Sequence, residues 1–233
     1  MKNILVIGSG RSAVTLIKYL LENSVKNDWK VTVADFSLNS ALDAVDNNVN
    51  GRAILFNVED ELQRSKEIKG SDIVISMLPA SLHVTVAKDC IKFKKNLVTA
   101  SYVSNEIAAL NDEAKNAGVL LLNEIGLDPG IDHMSAMKVI DDIKDEGGEI
   151  TSFKSYCGGL VHPDYDDNPW NYKFTWNPRN VVLAGQGTAQ YIESNSYKYI
   201  TYTKLFERTD IVSVLDAGEF EGYANRDSLS YRK

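Results

Sequence analysis

Six short stretches of the chain are apolar with little polar alternation: Ile4–Ile7, Lys30–Asp35, Ala53–Phe56, Asp72–Leu78, Asn96–Ser101 and Val119–Leu122. Such runs suit strands buried on both faces of a sheet. Helical spacing fills the gaps. Ala13, Leu16, Ile17, Leu20 and Leu21 form one stripe, and Ala41, Leu42 and Val45 a shorter one. Asp60–Lys69 reads as a polar surface helix with Leu62, Ser65 and Ile68 on one face. Ser81–Phe93 turns Val84, Ala87, Cys90 and Ile91 inward, and Asn105–Asn116 does the same with Ile107, Leu110 and Ala114. Unbroken alternation of strand and helix predicts a parallel sheet with right-handed crossovers.

The first strand runs straight into Gly8-Ser9-Gly10-Arg11-Ser12-Ala13. A strand, a glycine turn and a helix make the first unit of a doubly wound, Rossmann-type fold that binds dinucleotides. Gly8 serves the tight turn, Gly10 lets backbone approach a pyrophosphate, and small Ala13 lets helix pack on strand. The N–H groups at the helix start then face that pyrophosphate. The second strand ends in Asp35, followed by Phe36, where a carboxylate accepts hydrogen bonds from the adenosine ribose. That acid, with no arginine after it, predicts NAD rather than NADP, with NADP as the alternative. Ligands in such sheets sit beyond the strand ends, which makes Asn57, Val58, Met77, Leu78 and Pro79 candidate walls.

Beyond the sixth strand the pattern changes. Asn123–His133 reads NEIGLDPGIDH, a turn-rich acidic loop, and a helix is expected over Ile131–Glu146, closed by Gly147-Gly148. Ile150–Cys157 reads as a strand, Leu160–Trp170 as a polar loop, and Tyr172, Phe174 and Trp176 alternate like a half-buried strand. Pro178 opens a short helix to about Ala184. Tyr191–Phe206 and Asp210–Leu215 favour strands, and Glu219–Lys233 shows no usable periodicity. Of the three histidines, His83 is expected at the surface or as a cap, His133 at a helix start and His162 in a loop.

Composition narrows the classes. The 233 residues carry a net charge of −7, which argues against nucleic acid as the main partner. Hydrophobic content of 44% and charged content of 24% are ordinary for a soluble globular protein. No apolar run has the length of a membrane span. The N-terminal apolar run is too brief for a signal peptide and is needed as a strand. Cys90 and Cys157 are too few and too far apart for a disulfide framework or a zinc site. No metal is expected, and the expected compartment is cytoplasmic.

Five segments in order, Thr99–Ser104 (TASYVS), Asn123–Met134 (NEIGLDPGIDHM), Ser155–Leu160 (SYCGGL), Asp167–Arg179 (DNPWNYKFTWNPR) and Glu221–Ser228 (EGYANRDS), resemble the glutamate-forming saccharopine dehydrogenases. The resemblance implies an oxidoreductase of lysine metabolism, working as a homodimer. It would interconvert saccharopine with L-glutamate and 2-aminoadipate 6-semialdehyde through a nicotinamide cofactor. It implies a cofactor domain over 1–130 and the first part of a second α/β domain, for substrate binding and dimerisation, over 131–233. Ser101 and Leu127 would join the cofactor set. Asp128, Tyr102 and Cys157 would act at the reacting C=N bond, with Ser101, Gly158, Gly159, Tyr172 and Arg226 completing the substrate site. Val161-His162-Pro163 and Ala224 depart from the family pattern. Family chains run well past the segment matching Glu221–Ser228, so this one is expected to hold only part of the second domain and need not turn over alone. A related lysine- or polyamine-pathway dehydrogenase, or a non-catalytic dinucleotide-binding or dimerisation module, stays open as an alternative.

Overall fold

A computed structural model describes residues 1–175 and 178–229. It divides into two compact units, Met1–Phe153 and the chain from Lys154 onward.

The first unit runs β1 (Lys2–Ile7), α1 (Val14–Glu22), α2 (Ser24–Asn27), β2 (Trp29–Asp35), α3 (Leu38–Val45), β3 (Gly51–Leu55), α4 (Glu61–Lys69), β4 (Ile73–Ser76), α5 (His83–Phe93), β5 (Asn96–Val98), α6 (Asn105–Ala108), α7 (Asn111–Ala117), β6 (Leu121–Leu122) and α8 (Ile131–Asp145). All six strands pair in parallel, in the order β3-β2-β1-β4-β5-β6. The order reverses direction between β1 and β4, and the crevice at that switch point is where doubly wound sheets bind ligands. Two apolar layers cover the sheet. Ile4, Val6, Ala13, Ile17, Val31 and Val33 belong to one, and Leu5, Ile7, Val74, Val86, Cys90 and Leu97 to the other. Alternate residues of β1 thus feed opposite layers, which is why its sequence is apolar without a break.

Three expectations for this unit need correction. In α4 the inward residues are Arg64 and Ile68, whereas Leu62 is 85% exposed. In α3, Leu42 points outward while Ala41 and Val45 are buried. The helix expected over Asn105–Asn116 is two helices, α6 and α7, parted at Ala109-Leu110, although Ile107, Leu110 and Ala114 all stay buried.

The second unit holds α9 (Pro178–Ala184) and two antiparallel hairpins, β7 (Ala189–Glu193) with β8 (Ser196–Ile200) and β9 (Thr209–Val214) with β10 (Gly218–Tyr223). Ser194 and Asn195 both take positive φ, as a two-residue turn matched to strand twist requires. Strands expected over Ile150–Cys157 and around Tyr172 and Phe174 are coil. Among the described residues neither stretch has a partner strand, and extended chain becomes sheet only when its N–H and C=O groups find one. Trp176 lies outside the described residues, as do Ser230–Lys233. Pattern reading misses β10, and Tyr202–Glu207 is a 3-10 turn rather than strand. Among the described residues, no helix is long and apolar enough to cross a membrane.

Candidate functional site

The glycine turn connects the end of β1 to α1. Gly8 has φ +100, and a Cβ there would lie 3.0 Å from the Met77 carbonyl oxygen, so only glycine fits. A Cβ on Gly10 would meet nothing within 4 Å. The protein does not need glycine there; the open space is available to a ligand. The α1 N-cap, Ala13, makes no side-chain cap bond and is 1% exposed in the core. Uncapped N–H groups at the start of α1 are therefore left for an anion.

Asp35 ties this turn to β2. Its Oδ2 accepts from the Ser9 backbone N–H at 2.7 Å and from Ser9 Oγ at 2.9 Å, and its Oδ1 accepts from the Ser37 N–H at 2.8 Å. A carboxylate has about four acceptor sites, so capacity remains for a ribose hydroxyl. Beside it opens a cleft of about 330 Å³, lined by Gly8, Asp35, Phe36, Asn57, Val58, Leu78 and Pro79 among others. Met77 instead packs half-buried against the core under β1. Arg11 and Ser12 are exposed on the turn. An open glycine, an uncapped helix start and a carboxylate beside an apolar cleft fit a dinucleotide.

Across the switch point, the loops after β5 and β6 are joined by hydrogen bonds. The Glu124 N–H donates to the Ser101 carbonyl at 3.1 Å, and Glu124 Oε1 accepts from the Val103 N–H at 3.1 Å. This places Tyr102 beside Asp128, whose Oδ1 accepts from the Tyr102 hydroxyl at 2.8 Å. Both residues are exposed, as is Leu127. The Asp128–Pro129 peptide is cis. Gly130, at φ +149, returns the loop onto Gly126, where a Cβ would overlap the Gly126 backbone. Asp132 Oδ1 accepts from the Gly130 N–H at 2.8 Å, and His133 lies 3.6 Å from Asp132 Oδ2.

Two polar residues near this edge were not recognised from sequence. His83, expected at the surface, is 2% exposed. It lies among Ser76, Thr99 and Ser101, and burial lowers its pKa from the usual imidazole value. At the end of β6, both polar side-chain atoms of Asn123 are shielded from solvent and make no hydrogen bond among the described residues. A buried amide in that state has use for a polar ligand atom or a water. The chemistry-bearing residue types gave no local signal, because their partners come from other strands.

The remaining expected site residues belong to the second unit. Cys157, Gly158 and Gly159 lie in exposed coil. Tyr172 is half-buried, its ring edge-on to Phe174 with centroids 5.5 Å apart. Arg226 is exposed at φ +40, a conformation held by its carbonyl accepting from the Gln190 N–H at 2.7 Å. Cys90, in the first unit, is buried, and burial pushes its thiol up to about 12, which makes it an inert core residue.

Sheet order, glycine turn and carboxylate together define a dinucleotide-binding α/β protein. Residues 4–122 match the family model described as the saccharopine dehydrogenase NADP binding domain, and residues 126–233 match the saccharopine dehydrogenase C-terminal domain. The chain belongs to the saccharopine dehydrogenase family. It is 42% identical over 212 residues to an alpha-aminoadipic semialdehyde synthase of Arabidopsis thaliana, covering 90% of this chain and 20% of that protein. It is 38% identical over 233 residues to the NADP(+), L-glutamate-forming saccharopine dehydrogenase of Schizosaccharomyces pombe, covering 100% of this chain and 51% of that protein. A solved apo, histidine-tagged saccharopine dehydrogenase (L-Glu forming) from Saccharomyces cerevisiae matches with a TM-score of 0.90 at 38% identity, over 100% of this chain and 51% of that one. The chain thus spans about half the length of these fungal relatives.

Proposed function

We propose that this chain belongs to an oxidoreductase that interconverts saccharopine with L-glutamate and 2-aminoadipate 6-semialdehyde, a step of lysine metabolism. The observation that carries the reading is the Tyr102–Asp128 pair beside a dinucleotide crevice, in a chain similar along its length to enzymes named for that reaction. When bound, the nicotinamide supplies or accepts the hydride at the carbon of the C–N bond. The chain's own part is charge and position. Asp128 faces the positive charge of the protonated C=N group, and Tyr102 holds the carboxylate by donating to it. In the first unit Ser101 is the further substrate residue we propose; in the second, taken by itself, the family resemblance suggests Cys157, Gly158, Gly159 and Tyr172 as substrate residues and Arg226 as a carboxylate clamp, in the bidentate manner that suits guanidinium. Substrate binding and dimerisation begin at α8, with residues 1–130 holding the cofactor.

Between the two nicotinamide dinucleotides we propose NAD. The matching family model and the fungal relatives are named for NADP, so the proposal rests on this chain's Asp35, whose negative charge opposes a 2′-phosphate. Gly8, Ser9, Gly10, Arg11, Ser12 and Ala13 form the pyrophosphate cradle, and Leu127 reaches the cofactor from its loop. The setting we propose is a cytoplasmic homodimer, with the apolar side chains that α8 leaves exposed as its partner surface.

One assay tests the reading. Saccharopine is mixed with NAD or NADP, and reduced cofactor is followed for the wild type and for Asp128→Asn in a version extended to the relatives' full length, since this chain spans about half of it. Turnover with NAD, reduced about 10²–10³-fold by the substitution, is expected. Dinucleotide binding without turnover favours a binding module, equal turnover in the variant makes Asp128 structural, and tighter binding of NADPH than NADH overturns the choice of NAD.

A further inference from the structure

Around Ser101, already placed in the site, lies a buried polar cluster whose other members, Ser76, His83 and Thr99, the reaction above leaves unused. Ser76 at the end of β4 is 0% exposed, His83 at the start of α5 is 2% exposed, and Thr99 just past β5 is 2% exposed. Ser76 Oγ is 2.9 Å from His83 Nδ1. On the other side of the ring, Ser101 Oγ is 2.8 Å and Thr99 Oγ1 3.3 Å from Nε2. The Ser101 N–H also donates to Thr99 Oγ1 at 3.3 Å. Both ring nitrogens are engaged, and of the four residues only Ser101 is not fully buried.

A neutral imidazole has one N–H and one lone pair, so the two serines must play opposite roles. When Ser76 donates to Nδ1, the Nε2 proton goes to the Ser101 oxygen, and the Ser101 O–H is released toward a third group. In the other tautomer Ser101 donates to Nε2 and offers only lone pairs. The ring thus decides which face of the Ser101 hydroxyl a ligand meets. The ligand's place follows from the fold. The pyrophosphate belongs at α1 and the adenosine ribose at Asp35, which leaves the nicotinamide end for the β4–β5 side.

We propose that His83 is a positioning residue that aims the Ser101 hydroxyl at the carboxamide of the nicotinamide ring. A carboxamide carries both a donor and an acceptor, so it pairs with Ser101 in either tautomer. The lowered pKa of His83 supports this, since a neutral ring does not repel the positively charged oxidised nicotinamide. The proposal rests on the dinucleotide reading above, and its test separates the two.

Calorimetry would measure NADH and ADP-ribose, which lacks the nicotinamide, on wild type, Ser101→Ala, His83→Asn and His83→Gln. Asparagine reaches only the Nδ1 position and loses Ser101; glutamine reaches the Nε2 position and keeps it. The expected result is NADH affinity down about three- to tenfold in Ser101→Ala and His83→Asn, the scale of one hydrogen bond. His83→Gln is expected to recover most of it, and ADP-ribose affinity to stay unchanged throughout. Imidazole ¹⁵N spectra should move on adding NADH but not ADP-ribose. If His83→Asn fails to fold, Ser101→Ala and the spectra still decide. Unchanged NADH affinity, or parallel loss of both ligands, overturns the proposal alone. A wild type that binds neither compound overturns the dinucleotide reading and the proposal with it.

Discussion

A methyl group on Gly8 would crowd the Met77 carbonyl, in a backbone conformation that side chains rarely adopt, whereas one on Gly10 would touch nothing. The two glycines therefore predict different failures. Gly8→Ala should lose about 1–3 kcal/mol of stability, seen as a lower melting temperature. Gly10→Ala should melt like wild type but bind dinucleotide more weakly. Equal melting losses for both would remove the distinction. His83 adds a pH effect. Its folded pKa lies below the ordinary value of about 6.5. Between those two values the unfolded chain binds more protons, so stability rises with pH through that window and is lost on acidification below about 6.5. Above it the contribution is constant. The slope is at most about 1.4 kcal/mol per pH unit. Urea midpoints at about pH 5.5 and about pH 7.5 should therefore differ more for wild type than for His83→Gln.

Among the elements, α4 shows how an ion pair can replace an apolar stripe. Arg64 and Asp89 are both buried, with Nε and Oδ2 2.7 Å apart, and an Arg64 Nη1 donates to the Val58 carbonyl in the cleft wall. Arg64→Met should cost about 3–5 kcal/mol in urea unfolding, because the Asp89 charge is left buried alone. Adding Asp89→Leu should restore most of it; a double variant as weak as the single one would show that the charge is not the cause. No periodicity displays this pair, since its halves lie on different helices. The inner strands were legible for the opposite reason: a strand buried on both faces is apolar whatever its partners are, whereas β3 and β6, at the sheet edges, have no buried residue and Leu55 of β3 is exposed. The glycine turn and Asp35 were likewise readable, being local signals. His83 and Asn123 were not, because their roles depend on residues other strands bring to them. Ile150–Cys157 has the composition of a strand but no partner strand among the described residues, while Gly218–Tyr223 forms one despite two glycines and two glutamates, because β9 supplies it.

At the scale of the molecule, α8 is a poorly covered element. None of its residues is buried, and Ile131, Met134, Met137, Val139 and Ile143 are between 38% and 57% exposed. Apolar exposure on that scale marks an interaction surface or an aggregation liability. The chain should therefore self-associate in sedimentation at high concentration, and Met134→Lys with Met137→Lys should reduce it. A compact wild-type monomer would contradict this.

The position of β1 has a consequence for synthesis. It leaves the ribosome before every other strand of its sheet, yet its two edges are claimed by β2, beginning at Trp29, and by β4, beginning at Ile73. One side can pair early, while the other waits until the chain through Ser76 has emerged. During that interval an apolar strand in the middle of the future sheet has an open edge, the kind of surface that invites pairing with another chain. The same strand that centres the finished domain is its most vulnerable part while it is being made, and a nascent chain stalled before Ile73 is where chaperones would have most to protect.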